Sequence, residues 1–411
     1  MPDSQSPDTS SSDASPPDSS SEEPSPRRWL LILGIALVAL NLRPALASVG
    51  PLVADIRSAT GLSNAALGSL TTLPLVAFGF LSLFSSAVSR RIGMERAVAV
   101  AVVLIGAGTA LRGLDYVALL FAGTAVFGVG VALGNVLLPA LAKRHFPKRS
   151  GGITSLYSSM MGVGATAAAG LSVPIAGLLG WRGALAIWGG LAVVALIVWL
   201  PQVTRRPTRN GTGRGVGLRL LSRSALAWEV ALFMGLQALT FYVTIAWLPD
   251  LLQSRGLTEA AAGGLLAVSQ ATGVLGSAAI PIWASAREDQ RPVVWTLGAL
   301  EAASILGLLL PNPTFAWLFV GVLGFVLGGT FALALTLLVL RSPDAESTSD
   351  LSGMAQSIGY LVAAIGPPLF GLVFDVSGGW TLPLSLLLLV LAAKILAGGL
   401  AGRPGRVVGA A

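Results

Sequence analysis

An arginine followed by a proline interrupts the first long apolar run of the chain, in the stretch NLRPALASVG at residues 41–50. Arg43 is the one charged residue between Arg28 and Asp55. A charge in such a run costs several kcal/mol unless it is compensated, and Pro44 removes a backbone donor from the helix. A guanidinium at a helix break has the planar fork that binds carboxylate, nitrate-like or cyanate-like groups. The alternative is a structural arginine bonded to carbonyl groups of neighbouring helices.

Neutral polar and aromatic residues in the other apolar runs extend this candidate site. Gln356 and Tyr360 stand four apart and therefore share one helix face. Each such residue could instead hold two helices together by a hydrogen bond. The predicted substrate-binding set is Arg43, Asn135, Tyr157, Gln237, Tyr242, Gln270, Gln356 and Tyr360.

The remaining ionisable residues favour neither a metal centre nor an enzyme. The chain has no cysteine and one histidine, His145, which lies in the basic stretch AKRHFPKRS and is expected to face solvent. Zinc and haem sites need more such ligands, so we predict no metal, no cofactor and no enzymatic activity. Glu301 is the deep carboxylate; Lys394 is its expected structural partner, and a role in proton coupling stays the minor alternative.

The composition requires a membrane to position these residues. Of 411 residues, 54% are apolar and 11% are charged, whereas soluble domains carry about 25% charged residues. A spanning helix needs about 20 apolar residues. Twelve segments meet this requirement, near 29–52, 66–88, 97–113, 116–141, 151–178, 182–202, 226–250, 262–285, 292–311, 314–340, 351–374 and 379–402.

Basic residues predict how these segments are oriented. With the N-terminus inside the cell, 20 of the 26 Lys and Arg residues fall inside, and four, including Arg112, fall in outer loops. Cytoplasmic loops of membrane proteins carry such an excess. We therefore expect a multi-pass protein of the cell (inner) membrane with both termini cytoplasmic. The net charge of +7 then reflects topology rather than nucleic-acid binding.

An internal repeat divides the twelve segments into two halves. GLSNAALGSL at 61–70 returns as GLTEAAAGGL at 256–265, each at the start of an even-numbered span. Residues 1–26 contain six acids and no base, a composition that cannot fold. The predicted parts are a disordered acidic tail 1–28, a six-helix half 29–202, a basic cytoplasmic linker 203–225, a second half 226–402 and a cytoplasmic tail 403–411.

Several motifs resemble the cyanate/2-nitroimidazole (CynX/NimT) family of the major facilitator superfamily. They are NLRPALASVGPL, GNVLLPALAKRHFP, LYSSMMGVGA, GLQALTFYVTIAWLPDLLQSRGL and LRSPDAESTSDLSGMAQSIGYLVAAIGPPLFG, and the resemblance covers about residues 29–402. It implies an all-α membrane protein with two pseudo-symmetric six-helix halves, alternating access, and a site that includes Arg43, Asn135, Tyr157, Gln237 and Gln356. The loop SSAVSRRIGMER resembles the gating loop of major facilitators, but Arg90 stands where they prefer Asp, which leaves open whether a charge latch forms there.

Three functions remain open at this point. The first is a secondary carrier for a small anion or small polar heterocycle, and whether a proton is its coupling ion stays open. The second is an exporter of drugs or xenobiotics with the same fold, and the third is a non-transporting membrane sensor. The expected partners are a small-molecule substrate and the lipid bilayer, and the expected state is a monomer.

Overall fold

The chain is all helical in the part that the structure, a computed structural model, describes: residues 26–62, 64–204, 216–310 and 313–407. Most of the predicted acidic tail, the centre of the linker and the last four residues lie outside these ranges. The helices are α1 Pro26–Asn41, α2 Pro44–Ala47, α3 Val53–Thr60, α4 Asn64–Ile92, α5 Met94–Leu111, α6 Val117–His145, α7 Ser150–Ala186, α8 Trp188–Val203, α9 Leu218–Leu221, α10 Ala225–Ser254, α11 Glu259–Ser285, α12 Arg291–Leu309, α13 Ala316–Arg341, α14 Ala345–Ser377 and α15 Thr381–Ala401.

Eleven stretches of the described chain are long and apolar enough to cross a membrane, and α8 is a shorter apolar helix. Together they account for the twelve predicted spans. The predicted boundary between the fifth and sixth spans, 151–178 and 182–202, coincides with a kink inside α7. The backbone is non-helical at Gly180, where φ is 70°, and α7 then continues to Ala186 before α8 begins at Trp188. A residue without a Cβ adopts this φ at little cost, so the chain can leave the helical conformation there.

The two halves repeat one packing scheme. Helix α5 packs against α8 as α12 packs against α15, and α4 packs against α6 as α11 packs against α13. Between the halves, α4 contacts α14 and α7 contacts α11. The repeat found in the sequence marks the start of the equivalent helices α4 and α11. This is the predicted fold of two pseudo-symmetric six-helix halves, while the exact limits of the two domains stay a prediction.

Close backbone approach holds the C-terminal half together. A Cβ on Gly276 of α11 would lie 2.0 Å from the carbonyl oxygen of Phe325 on α13. A side chain there would push the two helices apart. Small residues allow such contacts between helices in a membrane, where packing and not the hydrophobic effect drives association.

Three basic residues that were predicted to face the cytoplasm bond across helix ends: Arg90 to Asp350, Lys143 to the carbonyl of Val339 and Arg341 to that of Ala401. We call this end of the bundle the basic end.

One local prediction about a charged residue is wrong. His145 was expected to face solvent, but its side chain is half-buried and its Nε2 lies 3.2 Å from Glu95 Oε1. Arg112 stands at the connection between α5 and α6, where the sequence places it, and its side chain is buried, with 1% exposed. Sequence position does not show which way a long side chain folds back.

Candidate functional site

The first span is broken at Arg43, as the sequence predicts. Helix α1 ends at Asn41, and α2 begins at Pro44 with Arg43 as its N-cap residue. The Arg43 carbonyl accepts from the backbone N–H groups of Leu46 and Ala47, at 3.1 and 3.0 Å. Proline has no N–H and therefore cannot continue the bonding pattern of α1. The break leaves the Arg43 side chain at the start of a new, very short helix.

Helix α7 supports this break through a glycine. A Cβ on Gly164 would lie 2.5 Å from the carbonyl oxygen of Leu40 and 3.2 Å from Cγ of Pro44. Any larger residue would displace the interrupted segment. The close approach brings the backbone of α7 directly against the point where α1 and α2 separate.

A cavity of about 780 Å³, counting the part that is open to solvent, lies between the two halves at this level. Helices α7, α10, α11, α13 and α14 line it together with Arg43. Its walls are mostly apolar, with glycine and methionine on both halves. Arg43 is the one charged side chain among the described residues that line it.

Two aromatic rings flank the Arg43 guanidinium. Its Cζ atom lies 5.2 Å from the ring centre of Phe331 and 5.8 Å from that of Phe241. Arg43 is half-buried, and no carboxylate of the described chain forms an ion pair with it. A cation over an aromatic face gains about 0.5–2 kcal/mol, which orients the guanidinium but does not neutralise it. The positive charge therefore remains available to a ligand.

Six of the eight predicted site residues line the cavity: Arg43, Gln237, Tyr242, Gln270, Gln356 and Tyr360. The side-chain oxygen of Gln237 is buried and has no hydrogen-bond partner in the described part of the chain. Its amide nitrogen contacts Met234 Sδ at 3.4 Å. The wall of the cavity thus combines a cation with an amide group that still has hydrogen-bonding capacity.

Asn135 does not line the cavity but stands behind its wall. Its side-chain amide donates to the Tyr360 hydroxyl at 3.4 Å, and its backbone carbonyl accepts from Gln356 Nε2 at 2.8 Å. Ser352 Oγ accepts a second bond from the same Gln356 amide, also at 2.8 Å. Asn135 on α6 therefore connects the N-terminal half to two cavity residues on α14.

Tyr157 also lies outside the cavity wall. Its side chain is 1% exposed and belongs to the apolar core. Its hydroxyl has no hydrogen-bond partner among the described residues. The neighbouring Ser158 lines the cavity and donates to the carbonyl oxygen of Ser277 on α11 at 3.0 Å. The sequence motif thus points to the correct turn of α7, one residue away from the side chain that faces the cavity.

The sequence analysis missed Phe331. This residue lies in the apolar run of α13, where nothing in the sequence distinguishes a ring that faces a cavity from one that packs in the core. Its contact with Arg43 depends on α13 facing the break between α1 and α2, and the two residues are almost 290 positions apart in the chain.

Between the cavity and the basic end, the two halves are bonded to each other. Ser155 Oγ on α7 donates to the carbonyl oxygen of Ala278 at 2.5 Å, and Lys143 Nζ on α6 donates to that of Val339 at 3.0 Å. Ser357 on α14 donates to the carbonyl oxygen of Gly79 on α4. These bonds join the two halves on the side of the cavity that faces the basic end.

An ion pair, which we call the latch, also joins the halves at this end, where the sequence left a charge latch open. Arg90 Nη1 of α4 lies 2.6 Å from Asp350 Oδ1 of α14. Asp350 is buried, and its second oxygen accepts from the backbone N–H of Gly217, in the linker, at 3.0 Å. The resemblance of the loop points to an acid at position 90, whereas here the arginine is on the first half and the acid on the second. The latch therefore joins both halves and the linker.

The buried pair Glu301–Lys394 lies away from the cavity. Lys394 Nζ of α15 donates to Glu301 Oε1 of α12 at 2.6 Å, and both side chains are buried. Neither residue lines the cavity. The pair matches the predicted structural partnership and holds together two helices of one half.

Comparison with known proteins identifies this architecture. Residues 31–367 match the model of the Major Facilitator Superfamily. The chain belongs to this superfamily. It is 43% identical to the 2-nitroimidazole transporter of Escherichia coli (strain K12), over 87% of this chain and 91% of the relative. It is 41% identical to the uncharacterized transporter YycB of Bacillus subtilis (strain 168), over 91% of this chain and 93% of that relative.

The cyanate transport protein CynX of Escherichia coli (strain K12) is 30% identical over 85% of this chain and 91% of its own length. These relatives place the chain with the CynX/NimT-like members of the superfamily. The crystal structure of the transporter FucP in its outward conformation matches with a TM-score of 0.71 at 15% identity, over 91% of this chain and 99% of that one. This likeness supports the fold alone. The chain is thus a multi-pass membrane transporter of small solutes, and its relatives are transporters rather than enzymes.

Proposed function

We propose that this transporter binds a small anion or a small polar heterocycle at Arg43 and carries it across the membrane by alternating access. The observation that carries the proposal is the Arg43 guanidinium, which faces the cavity between the halves and has no carboxylate partner in the described chain. An unpaired cation in an environment of low dielectric attracts an anionic or strongly polar ligand.

The other groups of the cavity favour a flat ligand. The Arg43 guanidinium lies over the ring faces of Phe241 and Phe331, and flat π-systems stack on such faces. The free amide oxygen of Gln237 can accept from an N–H group. A nitroimidazole has an N–H donor and a nitro group that accepts, whereas cyanate offers acceptors alone. Two relatives of this chain carry the names of these solutes: one is a 2-nitroimidazole transporter and the other a cyanate transport protein.

The bonds that join the halves near the basic end support alternating access. Because the bonds across the halves lie between the cavity and that end, release there requires them to break. The predicted topology makes the basic end cytoplasmic, so the conformation described is the one that receives solute from outside. The scarcity of acidic groups in the cavity supports this carrier over a drug exporter of the same fold, since Arg43 is the one charged group in its described lining.

Counterflow in proteoliposomes tests the proposal. Vesicles loaded with unlabelled cyanate or 2-nitroimidazole should accumulate the labelled solute faster than protein-free vesicles, and a pH gradient in parallel samples reports proton coupling. Arg43→Ala should abolish the exchange. Arg182→Ala is a matched control, because Arg182 is a partly exposed arginine that pairs with Asp115 away from the cavity. Exchange that persists in Arg43→Ala, or that is absent for both solutes, contradicts the proposal.

A further inference from the structure

Arg112 is a buried arginine whose position needs an explanation beyond packing. It follows the last residue of α5, and its Nη1 donates to the carbonyl oxygen of Ala45 at 2.5 Å. Its Nε and Nη2 atoms are buried and have no hydrogen-bond partner in the described part of the chain. Burying a guanidinium without full compensation is costly. A charge retained at such a cost indicates that its one short bond is important.

The carbonyl that Arg112 bonds is one that α2 cannot satisfy. The last carbonyl groups of any helix lack intrahelical partners, and α2 has only four residues. The N–H of Val49 bonds to Leu46 at 3.4 Å rather than to Ala45, and the Ser48 hydroxyl reaches Ala45 only at 3.4 Å. Arg112 supplies the short bond, and its charge is favourable at a helix C-terminus.

Space for this contact is built into the neighbouring helix. A Cβ on Gly123 of α6 would lie 2.9 Å from Cγ of Arg112. The Arg112 side chain therefore passes over a glycine on its way to α2. A larger residue at this position would force the side chain off that course.

Helix α2 carries Arg43 at its N-terminus, and a helix of four residues has no stability of its own. Two neighbours fix it: Gly164 of α7 lies against its first residue, and Arg112 holds its second. We infer that Arg112 is a positioning residue, which orients α2 and so aims the Arg43 guanidinium into the cavity. The inference rests on the proposed role of Arg43 as the residue that binds the substrate.

A spin label beside α2 tests the positioning directly. The chain has no cysteine, so Gly50→Cys accepts a single nitroxide, and Gly50 is exposed, with open space around its Cβ position. Arg112→Met should sharpen the spectrum of this label, because α2 becomes mobile. Arg112→Lys keeps the charge and a donor, and should restore most of the immobilised spectrum. Arg182→Met is the control, since Arg182 also donates to a backbone carbonyl, that of Leu114, but not on α2.

Cyanate binding to the purified variants gives the second readout. Arg112→Met should bind about tenfold more weakly, which corresponds to 1.4 kcal/mol, and Arg112→Lys should lie close to wild type. If Arg112→Met does not yield a monodisperse protein, Arg112→Gln takes its place with the same expectation. An unchanged label spectrum, or the same change in Arg182→Met, overturns the inference. A mobile α2 with cyanate binding that is also unaffected by Arg43→Ala supports the positioning of α2 and instead contradicts the proposed anion site.

Discussion

Replacing Asp350 with asparagine should loosen the closure at the basic end. The Asp350 carboxylate accepts from Arg90 at 2.6 Å and from the Gly217 backbone at 3.0 Å, so it joins both halves and the linker. Asparagine has nearly the same shape but no charge. The substitution therefore weakens the latch without creating a cavity or a clash.

The expected size of the effect follows from the exposure of the two partners. A hydrogen bond to a charged group contributes about 1.5–3 kcal/mol when it is protected. The Arg90 side chain is 47% exposed, whereas Asp350 is 1% exposed, and solvent reduces the contribution of such a pair to about 1 kcal/mol. With a weaker bond to Gly217 added, the closed state should lose about 1–2 kcal/mol. The population open at the basic end should therefore rise about 5- to 30-fold.

Thiol labelling measures this change. Ser155→Cys places a single reactive group on α7 where the serine is buried against α11. In the Asp350→Asn background, its alkylation by N-ethylmaleimide should be about 5- to 30-fold faster, in proportion to the open population. A solute that traps the closed conformation should slow the reaction again.

A second acidic residue at the same end provides the control. Asp289 pairs with Arg291 at 2.6 Å, and this arginine lowers the pKa of the Asp289 carboxyl. Both residues belong to one half, so Asp289→Asn should leave the labelling rate of Ser155→Cys unchanged. If Asp350→Asn has no effect, or if Asp289→Asn accelerates labelling equally, the latch does not control opening.

Two further predictions concern stability. Glu301→Gln leaves Lys394 buried without its partner, so it should destabilise the protein by about 3–5 kcal/mol and lower the thermal midpoint in detergent. Glu301→Gln combined with Lys394→Met should recover most of the loss. Equal midpoints for the single variant and wild type would argue against a structural pair. Gly276→Ala should also lower the midpoint, because its Cβ would meet the Phe325 carbonyl oxygen at 2.0 Å, while Gly263→Ala, which has open space around its Cβ position, serves as the control. No difference between the two alanine variants would contradict the close helix approach.

The fold could be predicted from the sequence because the membrane imposes strong rules. The lengths of the apolar segments and the basic loops between them give the number of spans. The return of the segment 61–70 at 256–265 gives the division into halves. The boundary predicted between residues 178 and 182 coincides with the kink at Gly180, but hydropathy does not show that helix continues on both sides of it to Ala186.

The site could be predicted only in part. Arg43 and Pro44 are conspicuous because a charge and a helix breaker rarely occur in an apolar run. Arg112 carries the same charge, but at the end of a span it looked like an ordinary loop residue. Phe331 gives no signal, and Arg90 pairs with a residue 260 positions away. Such partners depend on how the helices pack, which local sequence does not encode.

Binding by purified Arg43 variants tests the central claim most directly. Calorimetric titration with cyanate and with 2-nitroimidazole should give weaker binding for Arg43→Lys, which keeps the charge but loses the planar fork. Arg43→Ala should lose about 1.5–3 kcal/mol of binding free energy, a reduction in affinity of about ten- to a hundredfold. Its folding should survive, because removal of a charge from a span favours insertion. If well-folded Arg43→Ala protein binds the solute that the wild type transports as tightly as the wild type does, Arg43 is a structural residue and the proposed anion site is wrong.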